Sequence, residues 1–149
     1  MAKNGFSMSN RVAVQTVSGA GTTLTADDCG KTIILNRAAG TSVTLPSSPA
    51  VAGAGWNITV IVTAAVTSNA YEITATDGDY FQGGLIGVSS GAAADAFIAG
   101  GSDDAISMNG GTTGGLEGTR ITVYSDGETW HVNGTLSCTG TPATPFATS

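Results

Sequence analysis

Apolar residues recur at every second position along this chain, in short runs separated by turn-forming residues. The clearest run is WNITVIVT, where Trp56, Ile58, Val60 and Val62 alternate with Asn57, Thr59, Ile61 and Thr63. A period of two sends alternate side chains to opposite sides of a β-strand. One wholly apolar side and one mixed side is the pattern of a central strand. RVAVQTV places Val12, Val14 and Thr16 on a shared face, and KTIILN and SVTLP flank RAAGT, whose Gly40 suits the positive φ of a tight reversal. YEITAT and DYFQGG follow, and TRITVYS and TWHVNG close the series around DGE. Asp126-Gly127 between two alternating runs signals a hairpin. In that hairpin Ile121 and Val123 oppose Thr122 and Tyr124 across the first strand. Across the second, Trp130 and Val132 oppose His131 and Asn133.

Helical periodicity is nearly absent. SSGAAADAFIAGG is rich in alanine but bounded by glycines and short for a helix. Short strands with turns between them predict an all-β fold, an antiparallel β-sandwich or jelly-roll-like single domain. No repeat of solenoid period is visible. The expected layout is a flexible arm over residues 1–11, a domain over 12–140 and an extended tail over 141–149 carrying Pro142 and Pro145. Residues 87–118 read as a glycine-rich excursion in which only AFIA and AISM resemble strand material.

Composition narrows the function. Charged residues make up 11% of the 149-residue chain, against roughly 25% in typical domains. Small and hydroxyl side chains fill the remainder, which suits a β-protein that packs against copies or partners. A net charge of −6, with Lys3, Arg11, Lys31, Arg37 and Arg120 scattered, argues against nucleic-acid partners and against anionic membranes. MAKNGFSMSNR lacks the apolar core of a signal peptide and no window approaches a membrane span, so synthesis in the cytoplasm is expected. That compartment favours free thiols at Cys29 and Cys138 over a late disulfide between them.

The candidate chemistry is sparse. His131 is the lone histidine, and a catalytic role would need a nucleophile and an orienting acid. The acids nearest in sequence, Asp126 and Glu128, lie in the turn and are not expected to converge on it. Asp77 with Asp79, Asp103 with Asp104, and Asp126 with Glu128 offer oxygen ligands, but none follows a calcium-loop pattern and Asp-Gly is ordinary turn chemistry. Loop acids without an aromatic platform do not make a glycosidase, since Trp56 and Trp130 occupy inward strand positions. SSG lacks a nucleophile elbow and GGTTGG lacks the lysine of a phosphate loop. Asn57 and Asn133 sit in N-x-T sequons. No catalytic residue, metal or cofactor is expected.

One longer pattern resembles a known group. TLTADDCGKTIILNRAAGTSVTLP, then a Trp-led strand, then GTRITVYSDGETWHVNG, is similar to small structural proteins of tailed bacteriophages, of the capsid decoration or cement type. The matching positions are Leu24, Asp28, Gly30, Lys31, Thr32, Val43, Leu45, Pro46, Trp56, Gly118, Arg120, Ser125, Asp126, Gly127, Trp130 and Gly134. The resemblance implies a non-enzymatic virion protein on the capsid exterior, with the major capsid protein as partner and a homotrimer as assembly. Phe6, Met8 and Arg11 are then the expected capsid contacts of the arm. The alternatives are a tail fibre or spike module that binds a receptor or glycan, and a small hydrolase.

Overall fold

The alternation in WNITVIVT becomes strand β5, Asn57–Val62, with Ile58, Val60 and Val62 sealed inside and Asn57, Thr59 and Ile61 turned out. The computed structural model describes residues 12–76, 78–91 and 93–149. In chain order its other strands are β1 (Val14–Val17), β2 (Gly21–Thr23), β3 (Thr32–Leu35), β4 (Thr41–Thr44), β6 (Tyr71–Thr74), β7 (Phe81–Ser89), β8 (Ala94–Ile98), β9 (Ala105–Met108), β10 (Arg120–Ser125), β11 (Trp130–Cys138) and β12 (Phe146–Ala147). A 3-10 turn spans Ala26–Asp28, and one short helix, α1, spans Pro49–Ala52. Ser48 starts α1: its hydroxyl accepts the Val51 N–H, and Pro49 pre-sets the first helical φ.

The strands form two sheets, ordered β1-β3-β5-β10-β11-β7-β8 and β12-β9-β6-β4-β2. Their inner faces share one core, with Ile33, Leu35, Ile58 and Val60 from the first sheet meeting Val43, Tyr71, Ile73 and Met108 from the second. The all-β, sandwich-like single domain expected from the alternation is what the chain forms. The ladders, however, are mixed. β1, β3 and β5 run parallel, as do β2, β4 and β6, and β7 runs parallel to β11.

The parallel ladders come from winding. From β1 to β6 the chain passes alternately between the two sheets, so each strand lies beside the one two steps earlier. Val14 pairs with Thr32 and Thr32 with Thr59, an advance of 18 and then 27 residues. In the other sheet Gly21 pairs with Ser42 and Ser42 with Glu72, an advance of 21 and then 30. These are coils of unequal length, which leave no fixed period in the sequence.

The glycine-rich stretch is largely ordered structure. It supplies the end of β7, all of β8 and all of β9; β8 takes in AFIA up to Ile98, and β9 is AISM. The tail also joins the fold: β12 pairs with β9, Phe146 is buried, and the Ala143 N–H donates to the Thr112 carbonyl. Extended proline-rich chain lies down because β9 offers it a free ladder edge.

Two tryptophans hold the centre. Trp56 and Trp130 meet edge to face, 5.4 Å between ring centres at 71°. The Trp56 indole N–H donates to the Thr25 carbonyl, whereas Trp130 Nε1 is buried with no partner among the described residues. Beside them Gly83 holds φ +112, and a Cβ there would stand 2.1 Å from the Val132 carbonyl oxygen. Gly83→Ala is expected to lower unfolding free energy by about 1–3 kcal/mol, read from the urea midpoint.

Candidate binding face

The outward side of the seven-stranded sheet is its functional candidate. In-register pairing sets Thr32, Thr59, Thr122 and Asn133 side by side across β3, β5, β10 and β11. The next row carries Ile34, Ile61, Arg120, Thr135 and Ile86. Towards the far edge stand Val88, Ala94, Ala96 and Ile98. No carboxylate occupies any outward position of these strands, although the chain holds 11 acids. Among the described residues, five of the eight exposed large apolar side chains lie on this side: Val14, Ile86, Val88, Ile98 and Tyr124. Val12, just ahead of β1, is exposed as well, so neither valine of RVAVQTV that precedes Gln15 enters the core.

A solvated sheet face ordinarily carries interspersed charge. Depletion of charge with retention of apolar groups and arginine is the composition of an interface core. Arg120 is exposed and has no ion pair among the described residues. The face is roughly 34 Å wide and 15–20 Å deep at strand spacing and rise, about the size of one side of a standard interface.

At one rim His131 and Asp126 converge, contrary to expectation. Asp126 follows β10 two residues beyond outward-facing Tyr124, so the turn brings it to the same side as His131. Its Oδ2 lies 2.8 Å from His131 Nε2, while its Oδ1 accepts the Glu128 and Thr129 N–H groups. The bond to His131, with those two amides, holds the Asp126 carboxyl at about 2, below its ordinary 3.8. A depressed carboxylate contributes stability above its ordinary range and loses it as pH falls through the folded value. The gap in melting temperature between wild type and Asp126→Asn is therefore expected to close between about pH 4 and pH 2. Glu128 makes no contact with His131 among the described hydrogen bonds.

The pair does not reach a nucleophile. Tyr124 is the aromatic neighbour, its ring centre 6.3 Å away, and among the described residues the imidazole bonds to no hydroxyl or thiol. Asp103 serves a turn, accepting the Gly100 N–H, while buried Asp104 accepts the Ser149 N–H and so ties down the tail. Among the described residues no three metal-ligating side chains gather; Asp79 lies apart, and Asp77 lies outside the described residues. Phe6, Met8 and Arg11 also lie outside them.

Cys29 is exposed beside the Gly55 carbonyl, and Cys138 is buried on the inner side of β11; both are free thiols. Burial raises the Cys138 thiol above its ordinary range. The sequence reading missed an open hollow of about 240 Å³ at the end of the second sheet, lined by Arg37, Gly40, Ser42, Asn69 and Glu72. Its only sequence sign was Asn69, a residue tolerant of the positive φ it adopts there, +59.

Compared with protein-family models, with curated proteins and with solved structures, the chain matches none.

Proposed function

We propose that this is a non-enzymatic structural protein that lies on a protein lattice, the outer face of a phage capsid, and braces neighbouring capsid subunits. The observation that carries the reading is the acid-free outward face of the seven-stranded sheet in an otherwise acidic chain. Such a face loses little on desolvation, while the acids elsewhere keep the exposed side hydrated and repel further layers. Arg120 supplies one anchor for a carboxylate of the major capsid protein. The resemblance to decoration proteins over Leu24–Pro46 and Gly118–Gly134 supports the same reading. The two-sheet domain provides a stiff plate, and neither metal nor cofactor is required.

The test mixes purified protein with expanded shells lacking it and follows cosedimentation. Saturation at a fixed ratio to the major capsid protein, with shells that then withstand higher temperature, is the expected result. Protein that stays in the supernatant at every ratio would overturn the reading.

A further inference from the structure

Among the described residues β8 is the longest unpaired strand edge. It has five residues and pairs only with β7, whereas the other free edges, β1, β2 and β12, have four, three and two. The Ser89 N–H donates to the Ala93 carbonyl and the Ala99 N–H to the Gly83 carbonyl, which sets the phase of the β7–β8 ladder. Asp95 and Phe97 therefore turn their main-chain groups towards β7. Ala94, Ala96 and Ile98 turn theirs to the open edge. Ile98 is 77% exposed and Ile86 beside it 51%. An exposed apolar edge of this kind is a template for another strand.

We propose that the occupant is β8 of a second copy, antiparallel and centred on Ala96, joining two seven-stranded sheets into one. That register is self-complementary. Ala96 faces Ala96, Ala94 faces Ile98 of the second copy, and Asp95 faces Phe97, so no acid meets an acid. The apolar strips beside the two edges merge into one uncharged band. The surfaces that carry the remaining acids would repel at close approach, which leaves this edge as the favourable meeting place.

Asp95 guards the edge. Its Oδ1 accepts the Ala96 N–H at 2.9 Å, the donor that strand pairing needs. The cap must open on pairing, and five residues bury less than a standard interface, so the dimer in free solution is weak, with a dissociation constant in the micromolar range or above. The dyad of an antiparallel pair stands perpendicular to the sheet, so both acid-free faces point the same way. On the docking reading, from which this consequence follows, a lattice then gathers two linked faces at once.

Sedimentation velocity over about 1–500 μM tests the dimer across the affinities an interface of this size reaches. Wild type is expected to shift from monomer to dimer. Ala96→Pro removes the edge donor without touching the β7 ladder, and is expected to remain monomeric with an unchanged melting temperature. Asp95→Ala is expected to dimerise about fivefold more tightly, the weight of one hydrogen bond. Asp95→Asn keeps an acceptor and stays near wild type. A wild type monomeric throughout, a dimer that Ala96→Pro leaves intact, or a trimer would each overturn the proposal. Shells saturated by a protein that never dimerises would sink it while leaving the docking reading in place; a dimer that ignores shells would do the reverse.

Discussion

Thr59→Glu with Asn133→Glu is expected to weaken shell binding at least 100-fold while leaving the protein folded. Both side chains point outward, on β5 and β11, either side of Thr122 on β10. Neither belongs to the core, so the melting temperature should move little. In the bound state the two carboxylates would be stripped of water near the middle of the interface with no cation fixed opposite. An unpaired buried charge costs several kcal/mol, and 100-fold in affinity corresponds to about 2.7 kcal/mol. Cosedimentation with shells reads the loss, and a thermal melt confirms the fold. Undiminished binding would show that docking uses another surface.

Trp130→Ala is expected to cost about 3–5 kcal/mol of stability, a large share of the roughly 5–15 kcal/mol a domain of this kind holds. Trp130 is fully buried, sits between β10 and β7, and packs its ring edge to face on Trp56, so truncation opens a void beside Trp56. The phenylalanine variants separate packing from hydrogen bonding. Trp130→Phe discards an indole N–H that has no partner, so lost volume is offset by relief of an unsatisfied donor. Trp56→Phe leaves the Thr25 carbonyl without its donor. Urea unfolding should therefore rank Trp130→Ala far below wild type, Trp56→Phe in between, and Trp130→Phe nearest to it. Equal loss in the two phenylalanine variants would contradict the assigned role of the Nε1 bond.

Period-two alternation made the central strands legible. In β5, β10 and the first half of β11 the inward residues Ile58, Val60, Val62, Ile121, Val123, Trp130 and Val132 were identifiable because burial on one side writes itself directly into the sequence. The coils were not legible. Connections of differing length between β1 and β6 erase any repeat, and a strand's own residues do not state whether its neighbour runs parallel. β8 and β9 showed among the glycines only as AFIA and AISM, and the bounds of β8 were not legible because it is an edge strand with little to bury. The candidate face was visible only in retrospect: Thr59, Thr122 and Thr135 are unremarkable singly, and become a surface only when ladder register sets them in rows. The Asp126–His131 contact was missed for a related reason. The hairpin's acids were not expected to converge on His131 because they lie in the turn, whereas Asp126 keeps the outward side of Tyr124 and reaches the imidazole.

The position of β10 and β11 in the first sheet has a consequence for how the protein is made. These strands, residues 120–138, are inserted between β5 and β7 instead of being added at a margin. A nascent chain that has not yet delivered them holds two half-sheets with raw edges facing each other. Its central tryptophan contact is also still missing, because Trp130 opens β11. Cooperative folding must wait until these late strands have left the ribosome. Until then the growing chain depends on its scarcity of long apolar runs to stay out of aggregates, and the arrival of β10 and β11 joins the two halves of the sheet.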